Sequence, residues 1–375
     1  MVGGGDRYSA LPGPRRASSL AGGGKEEPVI GSGKHGRTYG AAWSNVKCGL
    51  SSCVTSRIRF SLLLLWGLLQ AAPAAQAQGL PEFAPLNPMA GSRSGLYFQP
   101  YREPLPGRWT TGLSVDYASV IEYNRLTQAD YVLDSELLRV GLSLSRDLGR
   151  RSFLLLNARL GGAYAGFMDG FLDWYHRSLG LRVLERERRP RDEFLYTVTL
   201  PDGSTASRAG RDLFLDDMRI GLGVRSGSAL QTVFSLTIPT STGPGGYGRG
   251  VPSISVLNTV RSRLRSDLVY EGSVGLGLTP AHGSLSENQR EAFVALTSGL
   301  RFRVWKQQAV YANLFYHSPY YHDTSLPALD RRELSLDFGW ILQTGQGGEW
   351  RLGLTEDLEP GGPGVDLIFR LGHTF

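Results

Sequence analysis

An imidazole can activate a serine hydroxyl only within hydrogen-bond reach. His317-Ser318, with His322 and Asp323 just downstream, is therefore the first place to look for hydrolytic chemistry. The stretch Ala309–His317 reads as a strand, and neighbouring strand residues point to opposite faces. A His and the next residue cannot pair across a sheet, so this group reads as polar residues at a strand end. No Gly-x-Ser-x-Gly elbow, Walker loop or dinucleotide fingerprint stands in a strand-to-helix setting. The glycine-rich stretch 243–250 follows one strand and precedes another, which makes it a loop and not a phosphate cradle. The expectation is no enzyme, no cofactor, no metal and no catalytic residue.

The richer chemistry is charge confined to one parity of alternating segments. Arg139, Arg159, Arg219, Arg225, Arg301, Arg303, Arg351 and Arg370 share that parity with Asp116, Glu271, Asp337 and Asp366, eight arginines against four acids. Fixed guanidinium groups in a confined passage favour anions. The competing expectation is that they pair with acids of the N-terminal segment or of the second long loop, Glu82, Asp169 and Asp173, and so brace a plug.

Such a charged face needs strands to carry it. From residue 108 onward, segments about ten residues long place apolar side chains at every second position, the mark of a strand with one apolar face. Leu138/Val140/Leu142/Leu144, Ile220/Leu222/Val224 and Leu268/Tyr270/Gly272/Val274/Leu276 are examples. Twelve strands are expected, including less regular ones at 252–264 and 309–317. Their even-numbered connections are short (Asp147–Arg150, Gly227–Ser228, Arg265–Ser266, Lys306–Gln307, Gly345–Gly347), and the odd-numbered ones run from about six to about fifty residues. Short turns at one end and long loops at the other are the asymmetry of a transmembrane barrel. The fold expected is all-β, an antiparallel up-and-down barrel of about 12 strands, with the apolar parity toward lipid and the charged parity lining the lumen. Trp109, Tyr117, Tyr123, Trp305, Tyr316, Trp340 and Trp350 fall near strand ends, where interfacial aromatics belong.

Residues 57–77 read as a secretory signal: Arg57 and Arg59, the apolar core FSLLLLWGLL, and a small-residue end whose Ala75-Gln76-Ala77 fits a cleavage site. An apolar run of ten is too short for a membrane-spanning helix, which needs about 20 residues. Residues 1–56 are irregular and glycine-rich, as expected of a start site placed too early. The net charge of +6 belongs to this leader. Residues 1–77 hold nine of the 40 basic and three of the 34 acidic side chains, leaving 31 of each. The remainder is neutral, which argues against a nucleic-acid partner. Both cysteines, Cys48 and Cys53, also lie in the leader.

Residues 78–107 are proline-rich and without periodicity, a periplasmic or plug segment ahead of a barrel at 108–375. The second long connection, 166–217, is an extracellular insertion. Within it Phe167, Phe171, Trp174, Tyr175 and Leu179 recur at helical steps, and a hairpin is expected to turn at Asp202-Gly203. That helix is a lid over the lumen, a foot at the lipopolysaccharide surface, or an ornament. The chain ends with Leu367, Phe369, Leu371 and Phe375 in one register. This ending resembles the C-terminal signal read by the barrel-assembly machinery, with His373 at a step usually apolar.

The phrases NPMAGSRSGLYFQP, DGFLDWYHRSLGL, FSLTIPTSTGPGGYGRG, LFYHSPYYHD and TEDLEPGGPGVDLIFRLGHTF resemble the bacterial family DUF3187, a domain of unknown function. The resemblance covers essentially the whole chain after residue 77 and implies an outer-membrane barrel with no established activity. The expectation is a cell outer membrane protein whose partners are outer membrane lipid and lipopolysaccharide, the assembly machinery and periplasmic chaperones. Its expected function is a narrow channel or transporter for small anionic or hydrophobic molecules; the alternatives are a lipid-modifying hydrolase or a structural envelope protein.

Overall fold

The structure, a computed structural model, describes residues 79–375 apart from 94–97, 106, 126–128, 179, 181–189, 246, 284, 345–347, 360 and 366. The leader, Ala75, Ala77, Asp366, Leu179 and the Gly345–Gly347 turn lie outside the described residues.

Twelve strands form the barrel: β1 (Trp109–Arg125), β2 (Asp130–Asp147), β3 (Ser152–Tyr164), β7 (Met218–Ser226), β8 (Leu230–Ile238), β9 (Ser253–Arg263), β10 (Leu268–Leu278), β11 (Ala292–Trp305), β12 (Gln308–His317), β13 (Glu333–Gln343), β14 (Glu349–Asp357) and β15 (Leu367–Thr374). Each pairs antiparallel with its neighbour, and β15 returns to β1 from Gly112↔Thr374 to Ala118↔Ile368. The barrel is therefore closed. Closure leaves no row of unpaired backbone groups, which hydrocarbon would not tolerate. Three short strands, β4 (Leu195–Thr199), β5 (Thr205–Ser207) and β6 (Arg211–Leu215), extend the sheet from β2 and β3 at the long-loop end.

The alternation sorts as the sequence pattern requires. Val115, Leu142, Leu154, Leu222, Phe234, Val274, Leu276, Leu300 and Leu352 face outward and are exposed, whereas Asp116, Arg139, Arg219, Glu271 and Asp337 face inward and are buried. A charge on the outer face would cost about 2–4 kcal/mol at a bilayer midplane, which explains the strict parity. Trp109, Trp305, Trp340 and Trp350 all sit exposed at the short-turn end, with the Trp305 and Trp340 rings 5.9 Å apart. The turn between β7 and β8 is made by Gly227 at φ 73°, a conformation that suits glycine.

One connection differs from the sequence reading. The first odd-numbered one is only four residues long, 126–129, because β1 and β2 stay paired out to Arg125↔Asp130, well past the apolar band. The segment before β1, which has no periodicity, enters the barrel. It contains α1 (Pro88–Arg93), and Phe83 and Phe98 bridge each other so that the segment doubles back on itself. Two inner cores result. Leu80, Phe83 and Phe98 pack on Phe293, Ala295, Ala309, Tyr311, Phe315 and Ile341 of β11–β13. At the long-loop end Met89 and Ala90 of α1 pack with Tyr131, Leu133, Tyr196, Tyr247, Tyr321 and Leu329 into a roof. A second helix, α2 (Asp169–Ser178), lies in the 166–217 insertion, and a third, α3 (Pro327–Asp330), joins the roof.

Candidate functional site: a plugged lumen

The inward side chains of the wall grip the backbone of residues 79–105. Arg139 holds Asp116 with Nε at 2.9 Å and donates to the carbonyls of Pro85 and Ala84 at 2.6 and 2.8 Å. Arg370 donates to Asp116 at 3.0 Å, lies 3.3 Å from Asp337, and reaches the Glu82 carbonyl at 2.9 Å. Arg301 shares itself between Glu349 and the Gly79 carbonyl, both at 2.9 Å, and Arg351 closes on Glu349 from the other side. Nearer the short turns, Arg225 bridges Asp147 at 2.7 Å and the Arg102 carbonyl at 2.6 Å. Charge-assisted hydrogen bonds of this kind are about twice as strong as neutral ones. Arginine suits the task, since its five donors can serve a carboxylate and a carbonyl at once.

Acidic groups hold the same segment from its N–H side. Glu271 accepts from the amides of Leu80 and Tyr101, both at 3.3 Å, with Arg261 at 3.5 Å behind it. Gln231 accepts from the Arg102 amide and donates to the Pro100 carbonyl. Glu82 lies 3.6 Å from Arg159 and accepts from Asn157. At the top, Arg93 of α1 donates to the carbonyls of Thr279, Pro280 and Arg290.

Of the residues expected to line the lumen, Asp116, Arg139, Arg225, Glu271, Arg301, Asp337 and Arg370 form or back this grip, and Arg159 and Arg351 join its edges. Arg219 is inward and buried, donating to Ser235 at 2.8 Å. Arg303 keeps the inward parity opposite Ala309 but lies at the short-turn mouth, where it is exposed, donates to the Ser266 carbonyl and lines the opening beside Arg301; the register shift comes after it, before Trp305. The plug acids also divide: Glu82 meets a lumen arginine, whereas Asp169 accepts from Ser119 and Asp173 pairs with Arg191. Arg261, Asp147, Glu349 and Glu103 belong to the site without having been expected there. Arg261 was obscured because Asn258 faces out, pairing with Thr232, and Leu257 faces in.

The wall is two-sided. β11 and β12 stand six places around the ring from β2 and β3. The aromatic and aliphatic group of β11–β13 thus faces Arg139 and Arg159 across the plug. A cavity of about 560 Å³ opens at the long-loop end, among Arg93, Arg208, Arg249, His282 and Tyr321. Another of about 280 Å³ lies at the short-turn end, beside Arg263, Arg301 and Arg303. The plug stands between them, against the wall at a space of only about 80 Å³. Burial pushes the Tyr247 hydroxyl in the roof up to about 12, so it stays neutral at ordinary pH.

His317 and Ser318 make no catalytic pair. His317 is buried and stacked on Tyr320 at 4.1 Å, its Nδ1 lies 2.6 Å from the Ser318 carbonyl, and the Ser318 hydroxyl accepts from the Val294 amide. His322 and Asp323 contact each other at the exposed rim, 2.9 Å apart. At the C-terminus Phe369 and Leu371 face outward opposite Tyr117 and Val115, and Leu367 is buried. The Phe375 amide donates to the Thr111 carbonyl, and His373 sits between the rings of Trp350 and Phe375 at 4.2 and 4.1 Å.

No family model and no curated protein matches the chain. Among solved structures it is similar to the COG4313 outer membrane channel from Pseudomonas putida F1, at 14% identity, 72% of this chain, 96% of that chain and a TM-score of 0.44. It is also similar to the translocator domain of autotransporter NalP from Neisseria meningitidis, at 11% identity, 72% and 89% coverage and a TM-score of 0.39. A third is the Pseudomonas putida toluene transporter TodX, at 9% identity, 72% and 89% coverage and a TM-score of 0.36.

Proposed function

We propose that the protein is an outer-membrane channel for small anions with an apolar body, held shut by its own N-terminal segment. The observation that carries this reading is the bonding of four wall arginines, Arg139, Arg225, Arg301 and Arg370, to carbonyls of residues 79–105. Peptide carbonyls are neutral acceptors, and a carboxylate is a stronger one. When the segment shifts, the same guanidinium groups face an open passage and exchange a carbonyl for an anion. The opposite wall, Phe293, Phe315 and Ile341, then loses Leu80, Phe83 and Phe98 and presents an apolar lane of matching chemistry. A solute with one carboxylate and a small hydrocarbon body satisfies both walls.

The outer-membrane location is supported by the closed barrel with its apolar outer band, the tryptophans at the short-turn end and the signal-like sequence at 57–77. The resemblance to DUF3187 agrees with it. No pairing of His317 with Ser318 supports a hydrolase. Swelling of liposomes carrying the chain with residues 79–105 replaced by a short flexible linker tests the substrate class. Benzoate-sized carboxylates should enter several-fold faster than neutral sugars of similar size, and equal rates would refute the preference.

A further inference from the structure

Helix α2 does not cover the lumen. It is bound to the outside of the barrel wall, just above the apolar band. On β1 and β2 the outward parity runs Val115, Tyr117, Ser119 and Val140, Leu138, Glu136. Val115 is exposed and Tyr117, Leu138 and Val140 are half-buried, whereas Ser119 and Glu136 are buried. What buries them is the approach to α2. The amides of Phe167 and Met168 donate to the Glu136 carboxylate, Tyr117 donates to it as well, and the Ser119 hydroxyl reaches Asp169 at 3.3 Å. The Phe167 ring stands 6.0 Å from that of Tyr117.

Anchored this way, α2 turns Leu172 inward (2% exposed) and leaves Phe167, Phe171 and Trp174 exposed at 72%, 46% and 59%. Phe171 and Trp174 lie at i and i+3 on one side of the helix, and Phe167 stands two residues ahead of its first turn. A stripe of large aromatics directed into water, fixed by a buried carboxylate, is out of place on a soluble loop. It is in place where a membrane begins. The stripe is continuous through Tyr117 with Val115 of the lipid-facing band. Trp109 and Tyr117 of β1 are eight residues apart, about 27 Å of strand and roughly 20 Å of membrane at a tilt of about 40°. That distance places Tyr117, and Phe167 beside it, at the second interface. Among the described residues Trp174 is also the one tryptophan at the long-loop end, the other four forming the girdle at the short turns.

We propose that α2 and the turn leading into it are a membrane-surface foot, whose Phe167, Phe171 and Trp174 enter the boundary between acyl chains and headgroups of the leaflet on the long-loop side. Amphipathic stripes rich in aromatics bind that boundary. The proposal rests on the barrel spanning a membrane, and the experiment separates the two.

Cys48 and Cys53 both precede residue 79. Single spin labels can therefore be placed by Phe167→Cys, Trp174→Cys, Leu142→Cys and Asp202→Cys in a Cys48→Ser/Cys53→Ser chain, inserted in phosphatidylcholine vesicles. Relaxation by oxygen, which partitions into lipid, is compared with relaxation by a water-soluble nickel chelate. The ratio at 167 and 174 should exceed that at 202, in the exposed β4–β5 turn, several-fold, and should approach that at 142. A ratio at 167 and 174 equal to that at 202, with 142 reading as lipid, overturns the foot and leaves the barrel. Exclusion of both reagents, as under a second protein surface, also overturns it. A water-like reading at 142 overturns the barrel reading and the foot together. If a cysteine variant fails to fold, the fluorescence difference between the unlabelled chain and Trp174→Phe answers the same question. Brominated lipid should quench that difference, and quenching by aqueous iodide alone overturns the proposal.

Discussion

Arg139 and Ala84 are joined across the lumen, the guanidinium donating at 2.8 Å to a carbonyl of the N-terminal segment while its Nε holds Asp116. Removing a buried partner of this kind costs about 3 kcal/mol, from the lost charged hydrogen bonds and the groups left behind. We expect Arg139→Ala to loosen the plug with the barrel intact. The amide of Phe98, bonded to the Phe83 carbonyl at 2.8 Å, should exchange with solvent about 100-fold faster. Glu103→Gln is the contrast: the Glu103 side chain is 44% exposed in its contact with Arg261, and such pairs contribute about 0–1 kcal/mol. Its effect on the same amide should stay within a factor of five. Equal effects of the two substitutions would mean that the buried grip does not hold the segment.

Gly299 gives the plug room. A side-chain carbon there would fall 2.5 Å from Leu80 Cδ1 and 2.9 Å from the Ala312 carbonyl. Gly299→Ala should therefore push Leu80 out of its seat on β11–β13 and raise single-channel open probability in planar bilayers. Leu80→Ala removes the nearest of three obstacles, the third being Asn313 Oδ1 at 2.8 Å. The double variant should be less disturbed than the sum of the singles by about 1 kcal/mol in plug docking. Strict additivity would show that the two positions do not meet.

The closing seam depends on the last residues. Leu371 pairs with Val115, and Phe375 donates to the Thr111 carbonyl at 2.8 Å. Without them β1 and β14 expose unpaired backbone groups toward lipid. Deleting Leu371–Phe375 should reduce heat-resistant, membrane-inserted protein far more than a deletion of equal length within Gly243–Gly250, measured by gel mobility before and after boiling. Comparable losses would contradict a role for the ending in closure or in recognition by the assembly machinery.

What the sequence reveals here follows from what alternation can encode. Parity along a strand is set by side chains, so Val274 and Leu276 on one face and Glu271 on the other are legible, and with them the barrel. A plug is legible only as one of two readings of residues 78–107, and its bonds are not, because they use peptide carbonyls and amides that every residue carries. Nothing in Gly79, Ala84 or Pro85 marks their carbonyls as the ones Arg301 and Arg139 will take. Glu82 could be foreseen as an arginine partner, since its charge is visible. Asp169 and Asp173 could not be assigned, because which wall of the barrel α2 joins depends on Glu136 facing outward. Arg303 has the parity expected of it, opposite Ala309; its exposure at the short-turn mouth and its bond to the Ser266 carbonyl depend on how far the strand runs past the plug, which alternation does not encode.

The central claim is that residues 79–105 close a passage whose fixed charge is arginine. The reversal potential under a KCl gradient tests it most directly, comparing the intact chain with one in which residues 79–105 are replaced by a short flexible linker. We expect the intact chain to be nearly silent and the shortened one to conduct with anion selectivity, most strongly at low salt, where the Debye length exceeds 10 Å. A cation-selective conductance, or an intact chain that conducts as freely as the shortened one, would contradict it.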